Sequence, residues 1–262
     1  MSKILHGTIS SSFDFLGKYK LARYKKITYP TVFFGAYIHR YSKTNFNRLL
    51  EHKALGVIVW RGSDIMLLRQ KDDEVKKVML EKLKKKENLR HVAIGRFIER
   101  DLEYFGIDYV RLPITAVKPI TNPQPLGDSI YCYLPNTTTE QRDFYGGSIV
   151  DELKKLLPDE KFIITTGNHP DVKELYKQCY LGLRLTRHDG LPNTVLEMGL
   201  MGRRCIYNDV RVPNAIPWKG IEDLVSIIKR ERKRLPQIDM VAESVRNYID
   251  IPNNWLDTNF WK

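Results

Sequence analysis

The sequence has few cysteines and no long apolar run. Its three cysteines, Cys132, Cys179 and Cys205, form an odd set without the spacing of a metal site, and each lies among apolar neighbours. We therefore expect buried thiols in a reducing compartment. No apolar segment approaches the ~20 residues that span a bilayer, and the start MSKILHGTIS lacks the apolar core of a secretory signal. With no repeat or low-complexity tract either, these absences favour a globular, cytoplasmic protein.

The charge is strongly one-sided. Lysine and arginine number 43 against 31 acidic residues, which gives a formal net charge of +12. A nucleic-acid partner, an anionic membrane surface and an anionic small ligand would each explain this excess. The lysine-rich helix predicted at 72–88 and the basic segment 227–235 are typical of solvated surfaces, or of a face resting peripherally on anionic lipid. Neither carries interleaved aromatic residues that would stack on single-stranded nucleic acid.

The first half of the chain alternates short apolar runs with helical patterns. Buried strands are predicted at 3–9, 31–37, 56–62, 90–95 and 108–113, with helices between some of them. This alternation indicates a parallel sheet covered on both faces. Segment 119–129, PITNPQPLGDS, then interrupts the pattern and is the best linker candidate.

The alternation resumes after this linker. Strands are predicted at 129–135, 161–167, 180–186 and 203–208, with helices at 145–158, 170–179 and 192–201 and two more after residue 220. We therefore predict two Rossmann-like α/β domains, 1–122 and 123–236. In such domains a ligand binds at the carboxyl ends of the strands. The remaining 237–262 is predicted to be a helix and tail whose large aromatics, Trp255, Phe260 and Trp261, must pack on one of the domains, because leaving them exposed would be costly.

The stretch RHDGLPNTVLE, residues 187–197, joins a predicted strand to a helix. Pro192 favours the first helical turn, since its missing N–H would be unpaired there. The backbone N–H groups from Gly190 to Thr194, with the positive end of the helix dipole behind them, suit a phosphate. Glu197 lies about a turn and a half into the helix, where it can accept hydrogen bonds from a diol such as ribose. Asp189 precedes the phosphate-facing amides. The alternative is a solvated turn acid and an exposed helical glutamate.

The longer stretch RHDGLPNTVLEMGLMGRRCIYN resembles the signature of retaining GT-B glycosyltransferases of group 1, the family 4-like enzymes. In that signature an acidic residue, seven others and a glutamate precede a small-residue helix and a strand. The resemblance implies a GT-B fold, in a short form, with a cleft between its two domains. It also implies that the helix and tail 237–262 return from the second domain to the first, where Trp255, Phe260 and Trp261 would pack.

The resemblance further implies a donor ribose on Glu197, a transferred sugar at Asp189 and a diphosphate on the 190–194 amides. No metal is expected, since helix amides and arginines can hold the diphosphate. His188 either acts in catalysis by contacting the donor or only caps the turn. The donor-binding set is completed by Arg187, Gly190, Leu191, Pro192, Asn193 and Thr194.

The sequence departs from the family pattern at two places. Asp189 stands where a glutamate is usual, which shortens the side chain by one methylene. The usual Arg and Lys after the first strand of the second domain are missing, and only Arg142 follows later. Arg187, Arg184 and Arg61 are the other cations that could meet the diphosphate charge.

Further candidates lie after other predicted strands. Gly167 and Asn168 either contact the donor or form only a strand-ending turn. Arg61 and Asp64, in WRGSDI, form either an acceptor-side site or a structural turn. His6 and Gly7 are acceptor-side candidates next to the first strand, and His6 and His39 are imidazoles available for proton transfer, although a lone histidine beside an apolar run is more often a packing residue.

Two classes of function follow from these residues. The first is a glycosyltransferase that moves a hexose-like sugar from a nucleotide-diphosphate donor to a hydroxyl of a glycan, lipid-linked or other acceptor. The second is a nucleic-acid-binding protein on a GT-B-like scaffold, or a transferase that glycosylates modified DNA bases. The +12 charge and the missing Arg/Lys pair are the reasons for keeping the second class as the alternative.

Overall fold

The computed structural model describes residues 6–8, 18–19, 21, 28–36, 43–69, 74–118, 122–135, 137–167, 169 and 171–261. The chain divides into two compact units. The first comprises Met1–Ala116, Asp189–Leu191 and Ile251–Lys262, and the second comprises Val117–His188 and Pro192–Asp250. Within the described ranges, no helix combines the length and the apolar content that crossing a membrane would need.

The first unit contains a five-stranded parallel sheet with the strand order β1-β2-β3-β4-β5. Its strands are β1 (His6–Thr8), β2 (Thr31–Phe34), β3 (Gly56–Trp60), β4 (Leu89–Ala93) and β5 (Val110–Arg111). Its helices are α1 (Lys43–Glu51), α2 (Ser63–Arg69), α3 (Glu74–Lys84) and α4 (Arg96–Tyr104). The prediction of a buried strand over 108–113 is wrong, because β5 is a two-residue edge strand in which Val110 is 40% exposed.

The core of the first unit is centred on β3. Val57, Ile58 and Val59 are fully buried, as expected for a parallel strand with both faces covered. Trp60, also fully buried, donates its indole N–H to Nδ1 of His91 on β4 at 3.1 Å. This bond makes Nδ1 the acceptor and so fixes the neutral tautomer of the His91 ring.

The C-terminal residues belong to the first unit and pack there through tryptophans. Two 3-10 turns, Asn253–Leu256 and Thr258–Trp261, follow the last α-helix. Trp255 is 1% exposed and meets the ring of Tyr19 edge-on at 5.3 Å. Trp261 donates its indole N–H to the Trp255 carbonyl, and its own carbonyl accepts from Nε of Arg90. Phe260 is only half-buried and lies edge-on against Trp261.

The second unit contains a second five-stranded parallel sheet, with the order β10-β9-β8-β6-β7. Its strands are β6 (Ser129–Tyr133), β7 (Lys161–Thr165), β8 (Cys179–Leu183), β9 (Arg204–Ile206) and β10 (Ala215–Ile216). Its helices are α5 (Thr139–Phe144), α6 (Gly147–Leu156), α7 (Val172–Lys177), α8 (Asn193–Leu200), α9 (Ile221–Lys233) and α10 (Ile238–Ile249). The sequence pattern had not indicated α2, α4, α5 or β10.

Arg203 is the largest buried cation of the second unit. Its side chain is fully buried and donates to the backbone carbonyls of Tyr176, Lys177 and Cys179 around the end of α7. It also donates to the carbonyl of Met201, which ends α8, and to those of Gln124 and Pro125. A cation at the C-terminal ends of two helices is favoured by their dipoles. Arg203 therefore joins α7, α8 and the segment before β6.

The His91 pair predicts a pH-dependent stability of the first unit. Burial lowers the pKa of His91 from 6.5 to about 4, with Arg90 adding to the effect. A pKa that is lower in the folded state gives stability that is present above pH 6.5 and is lost as the pH falls toward 4, by about 3 kcal/mol in total. Urea unfolding at pH 7 and pH 4 should show this loss in tryptophan fluorescence, since Trp60, Trp255 and Trp261 belong to the first unit.

The matched variants are His91→Asn and His169→Asn. The first keeps an acceptor for Trp60 without a titrating ring, so its stability should change less between the two pH values. The second changes an exposed histidine and should behave as the wild type does. A wild-type protein that loses no more stability than His91→Asn would contradict this assignment.

Candidate functional site

The candidate site lies at the carboxyl edge of the second sheet, where the strand order reverses. Strand β6 pairs with β7 on one side and with β8 on the other. The connections that leave β6 and β8 therefore run to opposite sides of the sheet and part at this edge, which is the usual ligand position in doubly wound sheets. These connections are 134–146 and 184–192.

Helix α8 starts at this edge, one residue later than the sequence predicted. Pro192 is its N-cap, with extended backbone angles, and the Pro192 carbonyl accepts from the N–H groups of Val195 and Leu196. Asn193 and Thr194 occupy the first two helical positions, whose N–H groups take no part in intrahelical bonds. The N–H of Gly190 instead donates to Oδ1 of Asp189 at 2.8 Å. The amides that α8 itself can direct at an anion are thus those of Asn193 and Thr194.

Glu197 lies in the second turn of α8 and is half-buried. The hydroxyl of Tyr176, on α7, donates to its Oε2 at 3.3 Å. Burial raises the pKa of the Glu197 carboxyl, while the Tyr176 hydroxyl and the charge of Lys173 lower it. A partly desolvated carboxylate of this kind is a strong acceptor for hydroxyl groups of a ligand.

Two residues of the sheet, Tyr131 and Thr165, lie next to this pair. Tyr131 on β6 meets the Tyr176 ring edge-on, with the ring centroids 4.8 Å apart. Its hydroxyl lies 2.6 Å from Oγ1 of Thr165, the last residue of β7. The sequence analysis missed both tyrosines, because nothing in the local pattern connects Tyr176 with a glutamate 21 residues away.

The turn that carries Asp189 is held by one local hydrogen bond and by one to the connection after β6. Thr186 donates its hydroxyl to the carbonyl of His188 at 2.9 Å, and the N–H of Arg187 donates to the carbonyl of Phe144. The side chain of Arg187 is exposed, and those of His188 and Asp189 are half-buried. Leu191 and Pro192 are buried, which anchors the turn where α8 begins.

Gly190 packs against the loop that follows β3 in the first unit. A Cβ at Gly190 would overlap the Arg61 carbonyl oxygen, and a Cβ at Gly62 would lie 3.1 Å from the Gly190 nitrogen. Gly62 also has a φ of 120°, which side-chain-bearing residues rarely adopt. Glycine at both positions therefore permits a direct contact between the two backbones.

Asp64 accepts hydrogen bonds from the backbone of the same loop. It is fully buried, and its carboxylate accepts from the N–H groups of Arg61, Gly62, Ile65 and Ala36. Burial raises the pKa of Asp64, against the lowering effect of these four donors. Asp64 thus shapes the loop through its backbone, while Arg61 is half-buried beside it.

Two arginines lie on the connections that leave β6 and β8. Arg184, directly after β8, has its Cζ 4.7 Å from the ring centroid of Tyr145 and 5.7 Å from that of Tyr133, and Arg142 lies in α5. Arg142 donates to Asp151 at 2.7 Å. The sequence analysis named both as cations that could replace the missing Arg/Lys pair. An aromatic contact of this kind restricts the position of a guanidinium, and the N–H groups in the guanidinium plane remain able to donate.

The remaining predicted residues are less informative. Gly167 is exposed, and a Cβ there would meet no atom within 4 Å. His6 and Gly7 form backbone pairs with Thr31 and Val32 in β1 and β2. The side chain of His6, and all of Asn168 and His39, fall outside the described residues.

No protein-family profile matches this sequence, and no curated protein matches it significantly. The structure, in contrast, is similar to many solved chains. Sucrose-phosphate synthase from Thermosynechococcus elongatus superposes with a TM-score of 0.56 at 10% identity, over 84% of this chain and 69% of that one.

Two further similar structures come from bacterial glycosyltransferases. TarM superposes with a TM-score of 0.53 at 12% identity, over 88% of this chain and 53% of TarM. A chain of the GtfA/B complex gives 0.52 at 13% identity, over 90% of this chain and 56% of that one. This chain therefore spans about half the length of either. The parallel sheets of both units and these neighbours together establish the fold class: the protein is an α/β protein with the GT-B fold.

Proposed function

We propose that this protein is a retaining, family 4-like glycosyltransferase that moves a sugar from a nucleotide-diphosphate donor to a hydroxyl acceptor. The observation that carries the proposal is the position of Glu197. This half-buried carboxylate lies on the helix that starts at the switch point of a GT-B domain.

The donor would bind along α8. Glu197 accepts hydrogen bonds from the ribose hydroxyls, and the N–H groups of Asn193 and Thr194 meet the diphosphate at the positive end of the helix dipole. Arg184 supplies a cation at the same edge, since it follows β8 directly and is oriented by Tyr133 and Tyr145. Arg187 is a second cation on the connection to α8.

Asp189 would face the sugar that is transferred. In a retaining transfer the bond between the anomeric carbon and the diphosphate oxygen breaks, and a bond from that carbon to the acceptor oxygen forms on the same face. The acceptor proton passes to the departing phosphate oxygen, and the diphosphate leaves as the nucleotide product. A carboxylate beside the anomeric carbon stabilises the positive charge that develops there. His188 lies next to Asp189 and would contact the same sugar.

The acceptor would be a hydroxyl of a glycan or lipid-linked molecule near the Arg61–Gly62 loop. S. aureus TarM, one of the structurally similar proteins, has been crystallised with UDP, fondaparinux and α-GlcNAc-glycerol. UDP is therefore a suitable first probe for a panel of nucleotides.

Replacing Glu197 with alanine should weaken binding of the nucleoside diphosphate itself. A hydrogen bond to a charged carboxylate contributes roughly 1.5–3 kcal/mol, which corresponds to a loss of about 10- to 100-fold in affinity. Calorimetric titration with UDP, GDP and ADP measures this directly. Glu160→Ala is the control, because Glu160 also accepts from a tyrosine, Tyr180, at 3.0 Å. Equal affinity in wild type and Glu197→Ala would exclude Glu197 from the site.

Replacing Asp189 with asparagine should lower turnover by at least about tenfold and leave nucleotide affinity nearly intact. The asparagine oxygen can still accept from the N–H of Gly190, so the turn keeps its shape while the charge is lost. Donor hydrolysis and nucleotide affinity, measured on the same preparation, separate the two effects. A parallel loss in both would indicate a collapsed turn instead of a missing charge.

We further propose that the diphosphate is held without a divalent ion. Helix amides and arginine side chains can stabilise a leaving diphosphate by themselves. Turnover of the nucleotide sugar should therefore be unchanged after treatment with EDTA. Activity that EDTA abolishes and magnesium or manganese restores would contradict this part of the proposal.

A further inference from the structure

Tyr176 is a buried phenol whose hydroxyl meets the proposed donor carboxylate. The residue is 1% exposed, and its hydroxyl donates to Oε2 of Glu197 at 3.3 Å. A side chain on α7 thus touches the carboxylate of the helix that starts at the proposed site.

The ring of Tyr176 is held in place by other buried groups. Its edge-on partner Tyr131 is 2% exposed and is itself bonded to Thr165. Its backbone carbonyl accepts from Nε of the fully buried Arg203 at 3.2 Å. A phenol fixed at both its ring and its backbone has little freedom to move away from Glu197.

This geometry limits the orientation in which the Glu197 carboxylate can meet a ligand. The Tyr176 hydroxyl has one proton to donate and gives it to Oε2. That bond sets the plane of the carboxylate and therefore the direction in which Oε1 accepts. Two adjacent hydroxyls of a ribose need an acceptor whose carboxylate plane is defined, whereas a single hydroxyl can donate to an acceptor in many orientations.

We propose that Tyr176 is a positioning residue that orients Glu197 for a vicinal diol and thereby selects ribonucleoside over 2′-deoxyribonucleoside diphosphates. The inference rests on the proposed function and adds to it the residue that sets sugar selectivity in the nucleotide. Tyr176 acts through Glu197 and does not touch the ligand.

The same contact influences the pH range of binding. Burial raises the pKa of Glu197, while Tyr176 and Lys173 on α7 lower it. Tyr131 on β6 packs edge-on against Tyr176. Helix α10, which packs against α8, carries Asp239, Glu243, Arg246 and Tyr248, and the connection before α8 carries Arg187, His188 and Asp189. Removing the Tyr176 hydroxyl leaves the raising effect of burial less opposed. The Glu197 carboxyl then takes up its proton at a higher pH, and ligand binding is lost at a higher pH as well.

The test is Tyr176→Phe in the full chain, with Tyr180→Phe as the matched control. Tyr180 is also a buried tyrosine of the second unit that donates to a glutamate, Glu160, but it lies outside the proposed site. Affinities for UDP, GDP and ADP and for their 2′-deoxy forms are measured between pH 4.5 and 8. The titration of Glu197 is followed by carbon-13 NMR, with its signal assigned from Glu197→Gln.

Tyr176→Phe should lose about fivefold in affinity for the ribonucleotide, as expected for one hydrogen bond, and little for the 2′-deoxynucleotide. The midpoint of its binding curve, and the titration of Glu197, should both move to higher pH. Tyr180→Phe should match the wild type in all three measurements.

Two results would overturn the inference. One is a folded Tyr176→Phe protein with an unchanged ribose preference and an unchanged Glu197 titration. The other is an equal loss for both sugars, which would mean that the hydroxyl only supports packing. If the wild type binds no nucleoside diphosphate while Glu197→Gln still identifies a titration that moves in Tyr176→Phe, the contact stands, but the proposed function and the selectivity assigned to Tyr176 both fail.

Discussion

The two-sided pairing of β6 is the constraint on which the candidate site depends. Backbone hydrogen bonds join β6 to β7 along one edge and to β8 along the other. Parallel strands can be joined only by crossover connections, so the chain must leave β6 and β8 toward opposite faces of the sheet. The opening between those connections is a consequence of topology, and α8 is the helix that begins beside it.

The buried charges of Arg203 and Asp64 are bonded to the backbone and stabilise the fold. Arg203 gives its donors to backbone carbonyls, and Asp64 receives backbone N–H groups. Each satisfies polar groups that would be costly to leave unpaired away from water. Glu197 differs from these two, since its half-buried carboxylate accepts from the Tyr176 hydroxyl at the edge where ligands bind in this class of sheet. Exposed lysines and arginines of α3 and α9 carry a further part of the positive charge.

Local sequence predicted the elements that carry strong periodicity. The bounds of the strand–turn–helix around residues 180–200 were predicted within a few residues, because a glycine, a proline and an apolar helix face all indicate the same helix start there. The exposed edge strand β5 was misjudged, since an apolar run does not reveal whether a neighbouring strand covers it. The contact between Tyr176 and Glu197, and the burial of Asp64, depend on residues distant in sequence. Spacing within one segment contains no information about such pairs.

The glycine contact at Gly190 limits how the Asp189 turn can be redesigned. Two main chains touch there without a side chain between them, so neither can move inward to accommodate a change. A longer acid at position 189 would extend its carboxylate by one methylene, and the turn could not retract to compensate. The reach of this acid is therefore set by its side-chain length, and in the proposed function a donor sugar would lie one carbon–carbon bond nearer the backbone than a glutamate would place it.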